Sequence, residues 1–352
     1  MHVAFVSMTT ADHRETDRTR RTRRTARLLA DQGHDVSVLC AQWWGGDVET
    51  FEQAGVTYRR VTETRSPSTF ASKLPFVLRR VEADVVQVVN APAIHVTAAK
   101  TACRVLRTPV VVDWWAGDES DSESARRRAA RGPDAVLTPS RTVRTEVREY
   151  GAAAEDVHVV PESIDFETVR DAPVDERADV VYARRLDEHA NVENFLLALA
   201  ELRDRTWRAA VVGDGPRREE AEQAARDLRI DDRVEFLGDL SPAEFVPVLK
   251  GAHVFAQTAT RAPFATPLLW ALAAGCVGIV EYQAASSAHE LVEGYPRGQL
   301  VTSPQELATA IVDAGEHDRR EIDDAFARYD HDAVLESYLD VYREVVDGYG
   351  LF

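Results

Sequence analysis

The stretch AAVVGDGPRREEAEQAARDLRIDDRVEFLGD, residues 209–239, contains the pattern that decides the fold. Its first four residues are apolar and typical of a buried strand, which ends at a turn containing Gly213 and Gly215. An amphipathic helical segment follows, and a second apolar run ends at Gly238. This order predicts two neighbouring parallel strands joined by a helix that packs on the sheet.

The same alternation extends over the whole chain. Apolar runs such as HVAFVS (2–7), DVVQVV (84–89) and CVGIVE (276–281) are separated by helical segments. Continuous apolar strands that alternate with helices are typical of parallel sheets covered on both faces. We therefore predict an α/β fold with two doubly wound, Rossmann-like domains.

Chain length supports this division, because 352 residues are enough for two separate cores. We predict an N-terminal domain at 1–165, a C-terminal domain at 166–320 and C-terminal helices at 321–352. The acidic segment 165–179, which Pro173 interrupts, is the predicted linker.

The charge distribution excludes one class of partner. The chain has 59 acidic and 42 basic side chains, for a net charge of −17. Such an acidic surface repels phosphate backbones, so general nucleic-acid binding is not expected. Three of the bases are lysines, and an acidic, lysine-poor surface is typical of halophilic proteins, since molar salt shortens the Debye length to about 3 Å.

Other sequence features bear on location and on metals. No apolar run approaches the roughly 18 residues needed to span a bilayer, and the N-terminal run has no basic flank of the secretory type. We therefore expect a cytoplasmic protein. The cysteines and histidines show no metal-ligand spacing, so we expect buried free thiols and no metal site.

Several segments, taken in order, resemble the GT-B glycosyltransferases, in particular the large family 4. TARLLADQGHDVSVLC (25–40) is similar to the family's first helix and second strand, and VHVVPESID (157–165) to its turn into the linker. YARRLDEHANVENFLLALAELR (182–203) resembles the strand and helix that open the C-terminal domain. The stretch 209–239 reproduces the family's glycine–aspartate–glycine–proline turn, and AHELVEGYPRGQLVTSPQELATAI (288–311) resembles the segment near the donor ribose.

The resemblance implies a GT-B architecture, in which two domains face each other across a cleft and the last helices return to the N-terminal domain. It also implies a hexosyltransferase-type enzyme that moves a sugar from a nucleotide-sugar to an acceptor. The donor would bind mainly to the C-terminal domain, without an essential metal or another cofactor. Two cations and a helix N-terminus would hold the diphosphate and stabilise the charge of the leaving group.

The donor residues that the resemblance implies follow strands of the C-terminal domain. Arg185 aligns with the family's phosphate-binding arginine, and the preceding Arg184 could supply a second charge. Glu290 aligns with the glutamate near the ribose, and the turn Gly213–Asp214–Gly215 would let the backbone approach the donor. Each also has a structural explanation: surface ion pairs for the arginines, a helix dipole for the glutamate and ordinary turn chemistry for the glycines.

The segment RAPFATPLLWALAAG, residues 261–275, departs from the family pattern. Two family glutamates would stand at Ala262 and Trp270, and the lysine that partners Arg185 would stand at Ala190. Trp270 either stacks on the base or ribose of the donor or belongs to the core of its helix.

The start of the helix in this segment is retained. Pro267 suits the first helical turn and Thr266 suits the cap, so backbone donors for a phosphate are expected there. We therefore place Phe264, Thr266 and Trp270 with the donor-binding residues.

The candidate acceptor residues lie in the N-terminal domain. Asp113 ends a predicted strand and could act as a base, and Trp114 and Trp115 follow it and could pack against a sugar. The alternative for these residues is a folded aromatic loop. His13 is placed with the acceptor because it lies in the loop after the first strand, where the family's glycines are missing.

Two basic segments, 13–27 and 70–80, suit peripheral contact with the inner face of a membrane and a lipid-linked acceptor. The first places four arginines on one helical face (Arg20, Arg23, Arg24 and Arg27), and the second mixes aromatic and basic residues. Molar salt would weaken such docking, and the alternative is a solvated face paired with nearby acids.

Two hypotheses follow. The first is an active glycosyltransferase with a divergent donor site, which uses a nucleoside-diphosphate sugar and a glycan or lipid-linked acceptor. The second is a catalytically silent GT-B protein that acts as a binding or scaffolding partner in glycan assembly. The lost glutamates and lysine favour the second hypothesis, whereas the retained turns and Arg185 favour the first.

Overall fold

A computed structural model describes residues 1–116 and 121–350. The chain divides into two compact units, Met1–Glu162 with Asp332–Phe352 and Ser163–His331, which we call the first and second units. Residues 163–165 and 321–331 belong to the second unit, so its limits differ from the predicted ones by three residues at one end and eleven at the other.

Strands and helices alternate along the chain, as the sequence predicts. The strands are β1 (His2–Val6), β2 (Asp35–Ala41), β3 (Thr50–Gln53), β4 (Val56–Thr62), β5 (Val85–Val89), β6 (Val110–Asp113), β7 (Ala135–Thr138), β8 (Val157–Val159), β9 (Val180–Ala183), β10 (Ala209–Val212), β11 (Val234–Gly238), β12 (Val254–Gln257), β13 (Arg261–Ala262), β14 (Val277–Glu281), β15 (Ala285–Ser286) and β16 (Gly298–Val301). The helices are α1 (Asp17–Asp31), α2 (Pro67–Val81), α3 (Ala93–Leu106), α4 (Glu123–Arg131), α5 (Arg141–Glu149), α6 (Phe166–Asp171), α7 (Val192–Glu201), α8 (Arg218–Asp227), α9 (Pro242–Gly251), α10 (Thr266–Ala273), α11 (His289–Val292), α12 (Pro304–Asp313) and α13 (His331–Gly350).

The first unit is built on one sheet in the order β3-β4-β2-β1-β5-β6-β7-β8. Its neighbouring strands are parallel, with the exception of the β3–β4 pair. Successive strands spread in opposite directions from β1, so the order reverses between β1 and β5. In sheets of this kind, ligands bind outside the carboxyl ends of the strands at the point of reversal.

The second unit repeats this plan with a parallel sheet in the order β11-β10-β9-β12-β14-β16. Its order reverses between β9 and β12. The short strands β13 and β15 pair with each other outside this sheet. The predicted pair of doubly wound α/β domains is therefore confirmed.

Burial explains why the strand sequences are so uniformly apolar. All residues of β5 and β12 are buried, including the polar Gln87 and Gln257, because helices cover both faces of each sheet. Parallel sheets require this coverage, and it removes the apolar–polar alternation of a half-exposed sheet.

Some elements differ from the sequence pattern. The edge strand β16 has two half-buried residues, one exposed and one buried, and its sequence GQLV contains no continuous apolar run. The predicted linker 165–179 contains α6, whose Phe166 and Val169 are buried in the core of the second unit. The first half of this segment therefore belongs to that unit and is not a free linker.

Helix α13 completes the core of the first unit. Leu335, Leu339 and Tyr342 are buried against β1 residues Val3 and Phe5. The C-terminal segment is therefore part of the fold of the first unit, and the hydrophobic face of α13 covers one side of the sheet.

We expect Leu339→Ala to destabilise the first unit by about 2–5 kcal/mol, because it leaves a cavity under α13. The neighbouring Asp340 is exposed, so Asp340→Ala is the matched control and should change stability by less than about 0.5 kcal/mol. Chemical denaturation followed by far-UV circular dichroism measures both. Equal midpoints for the two variants would contradict the role given to α13.

Candidate functional site

The second unit gathers the predicted donor residues at one edge of its sheet. Because its strands are parallel, the loops after β9, β10, β12 and β14 leave from the same edge. These loops and the helices after them hold Arg184, Arg185, Gly213, Asp214, Gly215, Phe264, Thr266, Trp270 and Glu290. The candidate donor site is this carboxyl edge, centred on the reversal between β9 and β12.

Two arginines follow β9 directly. Arg185 is exposed and Arg184 is half-buried. Among the described residues, neither guanidinium takes part in an ion pair, and Nε of Arg184 has no hydrogen-bond partner. The surface ion pairs considered for these side chains are therefore absent over the described ranges, and both remain available to an anion.

Ala190, the position that aligns with the family lysine, is buried. Ala190 is 1% exposed, and its carbonyl accepts a hydrogen bond of 2.6 Å from the hydroxyl of Tyr182. The next residue, Asn191, exchanges two hydrogen bonds with Thr258, at 2.9 and 2.7 Å. The backbone N–H of Thr260 donates to the carbonyl of His189 at 3.0 Å. The loop after β9 is thus fastened to the loop after β12, and the side chain at 190 points to no open surface.

These hydrogen bonds between the two loops point to a cation that the sequence pattern did not predict. Arg261 directly follows Thr260, so it lies on the loop that is bonded to residues 189–191. It is half-buried in β13. The signal in the sequence was its place one residue before Ala262, the position of the first family glutamate.

The segment before α10 is held by the segment before α11. Strands β13 and β15 pair in register, with Arg261 opposite Ala285. Ser287 donates two hydrogen bonds of 2.8 Å to this segment, from its N–H to the carbonyl of Ala262 and from its hydroxyl to the carbonyl of Pro263. Glu290, in α11, is therefore kept next to the start of α10.

The start of α10 differs in detail from the prediction. The helix begins at Thr266 with Pro267 in its first turn, but Ala265 is the cap residue, so the threonine hydroxyl does not cap the helix. Trp270 is half-buried and packs against the core of the second unit, as does Phe264. The helix-core alternative for Trp270 thus has direct support, although part of the side chain remains accessible.

The glycine turn after β10 has a clear packing role. Gly213 has φ +119°, and a Cβ there would lie 2.1 Å from the carbonyl oxygen of Arg184. A Cβ on Gly215 would lie 2.3 Å from the carbonyl oxygen of Leu186. Asp214 is exposed, and its Oδ1 accepts the N–H of Gly215 at 2.7 Å. These residues therefore let the backbone of the arginine loop pass close to the turn, and they fix its position.

In the first unit, the environment of Asp113 argues against its predicted role as a base. Its carboxylate is 1% exposed, and both oxygens accept from Nε of Arg21 at 3.2 Å. Arg21, also 1% exposed, donates to Glu162 at 2.8 Å and to the carbonyl of Val160 at 2.8 Å. A carboxylate held in this way by a permanent cation cannot reach an acceptor hydroxyl.

The charges of the cluster formed by Arg21, Arg24, Asp113 and Glu162 balance one another. Burial raises the pKa of Asp113 above its usual value, and the charge of Arg21 opposes the rise. Burial also acts to raise the pKa of Glu162, but Arg24 and Arg21 outweigh it and hold this pKa below its usual value. The cluster joins α1 to the ends of β6 and β8, so its role is structural.

The two tryptophans that follow Asp113 are also mainly structural. Trp114 is fully buried in the core between the sheet and α2–α5, and Trp115 is buried with its ring 5.8 Å from the guanidinium of Arg21. The predicted stacking of these rings on an acceptor is therefore not supported, and the alternative of a folded aromatic loop fits.

His13 lies in the loop after β1, beside the reversal point of the first sheet. Its Nδ1 accepts from the N–H of Thr10 at 3.1 Å, and no described residue bonds to its Nε2. Burial, followed by the charge of Arg65, lowers the pKa of His13. The side chain is therefore neutral at pH 7 and keeps one ring nitrogen for another partner.

The arginine face of α1 is largely paired. Three of its members have partners within the first unit: Arg20 with Asp17, Arg23 with Glu15 at 2.9 Å and Arg24 with Glu162. The alternative of locally paired arginines is thus supported for α1, which leaves the second basic segment as the more available cationic surface.

The described residues also bear on membranes and on metals. No helix within 1–116 and 121–350 combines the length and apolar character that crossing a membrane requires. In the same ranges, no three His, Cys, Asp or Glu side chains come together in a group that could hold a metal ion.

Two family models match consecutive parts of the chain. The model described as glycosyltransferase family 4 matches residues 19–168, and the model described as glycosyl transferases group 1 matches residues 164–329. The chain belongs to the GT-B glycosyltransferases. The second match covers the whole candidate donor site.

Individual relatives agree with this family. A GDP-mannose-dependent alpha-(1-6)-phosphatidylinositol monomannoside mannosyltransferase of Mycobacterium tuberculosis is 26% identical over 318 residues, which cover 83% of this chain and 80% of the relative. A sucrose-phosphate synthase structure from Thermosynechococcus elongatus superposes with a TM-score of 0.79 at 15% identity and covers 99% of both chains. The structure of Anabaena Alr3699/HepE in complex with UDP has a TM-score of 0.77 at 19% identity and covers 98% of this chain and all of that one. At these identities, the solved structures establish the fold alone.

We expect Arg21→Leu to cost about 3–5 kcal/mol of stability at pH 7, because it leaves the buried carboxylate of Asp113 without its cation. Without Arg21, the folded-state pKa of Asp113 lies above its unfolded value, so the loss is full at high pH. It shrinks as the pH falls through that raised pKa, because the protonated group carries no buried charge.

The control for this prediction is Arg20→Leu on the same helix. Arg20 is exposed, and its ion pair with Asp17 lies at the surface, so little change is expected. Urea denaturation at several pH values measures both variants. A pH-independent loss in Arg21→Leu would show that Asp113 is not the group left charged.

Proposed function

We propose that the protein transfers a sugar from a nucleoside-diphosphate sugar to a glycan or lipid-linked acceptor. The observation that carries the proposal is the pair of arginines without described ion-pair partners, Arg184 and Arg185, at the reversal point of the second sheet. In folds of this type, that point is where ligands bind. The family of the chain supplies the reaction class.

The donor diphosphate is proposed to lie between the loops after β9 and β12. Arg185 provides an exposed guanidinium from the first loop, and the first turn of α10 directs backbone N–H groups and a positive dipole end from the second. Both features stabilise negative charge, and charge builds up on the diphosphate as the sugar leaves. This arrangement favours the transfer step and needs no metal.

The missing lysine is proposed to be replaced from the neighbouring loop. Ala190 is buried, so no charge can stand there. Arg261 lies on the segment whose Thr260 is bonded to His189, and its guanidinium is the charge proposed to take the lysine's role. A second cation is thus restored from a different strand end, which makes the donor site divergent in composition.

We propose that the sugar and the ribose of the donor are held by different kinds of contact from those of the two family glutamates. Ala262 and Trp270 cannot accept hydrogen bonds from hydroxyl groups as the two family glutamates would. Glu290 keeps a carboxylate near the start of α10, and the accessible part of Trp270 and Phe264 offers apolar surface to the donor. The donor is thus held more through phosphate, backbone and ring contacts than through carboxylates.

On the acceptor side, the proposal rests on His13. Because Nδ1 of the neutral imidazole accepts from Thr10, the ring proton is on Nε2, which can donate a hydrogen bond to an acceptor oxygen. A lipid-linked acceptor is favoured because the mycobacterial relative acts on a phosphatidylinositol monomannoside, as its name states.

We expect a nucleotide to raise the thermal unfolding midpoint of the full chain. A ligand at about 100 times its dissociation constant adds about 2.7 kcal/mol to the folded state. UDP, GDP, UDP-glucose and GDP-mannose are the probes, and differential scanning fluorimetry in low and high KCl is the measurement. The shift with the preferred nucleotide should be lost in Arg185→Ala and reduced in Arg261→Ala, because each removes a cation from the diphosphate.

Arg205→Ala is the matched control, because Arg205 is exposed and precedes β10 at the opposite edge of the sheet. It should keep the full shift. If no nucleotide shifts the folded protein, the transferase proposal fails and the catalytically silent GT-B protein becomes the better account. If Arg185→Ala keeps the shift, the donor lies elsewhere.

A further inference from the structure

We infer that Gln257 holds the sugar of the donor by accepting a hydrogen bond from one of its hydroxyl groups. Gln257 is the last residue of β12 and is 3% exposed. The inference rests on the proposed function, because it assigns a further residue to the same donor site. It concerns how that site recognises the sugar and not the transfer step.

Gln257 lies on the face of the second sheet that α9 and α10 cover. Side chains alternate along a strand, and Phe255, two residues earlier, packs in the same core as Leu268 and Leu269 of α10. The intervening Ala256 packs in the core on the other face. Because α10 begins at the carboxyl edge of the sheet, its first turn stands at the level of Gln257.

A row of side chains ends the sheet on this face, and Gln257 interrupts its apolar character. The row crosses β10, β9, β12 and β14 and consists of Val212, Ala183, Gln257 and Val280. Ala183 stands beside Gln257, since the preceding residues Tyr182 and Ala256 pair in register. The order of the sheet reverses between these two strands, and folds of this type bind ligands at such a point.

The amide of Gln257 has an unpaired oxygen in this apolar surrounding. Its Oε1 is buried, and no residue within 1–116 or 121–350 donates a hydrogen bond to it. A buried acceptor without a donor is costly, and a bound ligand is one explanation for its presence in a native protein. The terminal torsion of a glutamine has a broad profile, so the oxygen can turn to the carboxyl edge when a donor binds there.

The chemistry of the unpaired atom restricts its partner. An ionised diphosphate offers oxygens without protons, so Oε1 cannot bond to the diphosphate proposed to lie beside Arg185. A hydroxyl group supplies the proton that Oε1 needs. The ribose carries hydroxyls as well, but Glu290 is the residue placed near it. The transferred sugar is therefore the partner that fits Gln257.

Gln257 also supplies an acceptor that position 262 cannot. The family pattern places a glutamate there, whereas this chain has Ala262, which is 3% exposed. Ala262 lies on the segment that leads from β12 to α10, so both residues belong to the same part of the carboxyl edge. An amide oxygen accepts a hydroxyl proton without placing a negative charge beside the diphosphate.

Packing alone does not account for a glutamine at this position. Its neighbours in the row are apolar, and a leucine would occupy a similar space without burying an unpaired oxygen. We therefore expect Gln257→Leu to keep or raise the thermal unfolding midpoint. A structural hydrogen bond from this side chain would give the opposite result, because the substitution would remove it.

The test compares nucleotide-sugars with the corresponding nucleoside diphosphates. Isothermal titration calorimetry measures the dissociation constants of UDP, UDP-glucose, GDP and GDP-mannose for the purified full chain and for Gln257→Leu. For the pair that the unmodified chain binds, Gln257→Leu should bind the nucleoside diphosphate as before and the nucleotide-sugar about tenfold more weakly. The two ligands differ in this way because the nucleotide-sugar alone carries the hydroxyl that Gln257 contacts.

Analogues of this nucleotide-sugar that each lack one sugar hydroxyl identify the contact. In the unmodified chain, the analogue without the contacted hydroxyl should bind about as weakly as the complete nucleotide-sugar binds to Gln257→Leu. In Gln257→Leu, the same analogue should lose nothing further, because the interaction is already absent.

Gln299→Leu is the matched control. Gln299 is a glutamine of the same sheet, but it lies half-buried in the edge strand β16. The same substitution there should leave every dissociation constant unchanged.

Three results would overturn the inference. An unchanged ratio of the two dissociation constants in Gln257→Leu would show that other groups hold the sugar. An equal loss of affinity for the nucleoside diphosphate would place Gln257 at the base, the ribose or the diphosphate. A lower unfolding midpoint would show that the side chain makes a structural hydrogen bond.

Failure of the proposed function gives a different result. If the unmodified chain binds no nucleotide, the donor site itself is refuted and the inference falls with it. If Arg185→Ala abolishes nucleotide binding while Gln257→Leu leaves the ratio unchanged, the donor site stands and the role of Gln257 alone is rejected.

Discussion

Both units depend on the common direction of their strands. Parallel strands deliver every carboxyl end to one edge of a sheet, so loops that are far apart in sequence meet there. In the second unit, this constraint brings residues 184, 213, 261 and 290 to one edge although they span more than a hundred positions. The chemistry of the site can therefore change residue by residue while its location stays fixed.

Close backbone contacts then hold the loops in place. Gly213 and Gly215 admit the carbonyl groups of Arg184 and Leu186 at distances that no side chain would allow. In the first unit, ion pairs hold the segments together. The guanidinium of Arg21 on α1 binds Asp113 at the end of β6, and it also binds Glu162 and the carbonyl of Val160 in the segment after β8. Neither device contacts a substrate in our proposals, yet both determine where the substrate-facing residues stand.

The architecture could be predicted from the sequence because strands buried on both faces of a parallel sheet consist of uninterrupted apolar runs. The sequence was insufficient for β16, a strand at a sheet edge in which only Val301 is buried. Asp113 was misjudged because a strand-end carboxylate looks the same in sequence whether or not an arginine ninety residues away covers it. Arg261 was overlooked because the family pattern assigns no charge there, and only the hydrogen bonds between two loops bring it beside the 189–191 segment. The sequence also could not distinguish the two basic segments. Most arginines on the face of α1 are paired with acids, whereas the cations of α2 form no ion pair with any residue that the structure describes.

The buried loop around Ala190 limits which side chains this position can hold. A lysine introduced there today would need to bury its ammonium group or break the hydrogen bonds that Tyr182 and Thr258 make to the loop. A single substitution to lysine would thus destabilise the loop unless neighbouring residues changed with it. Any added charge in this pocket is therefore more easily placed at an accessible neighbouring position than at 190.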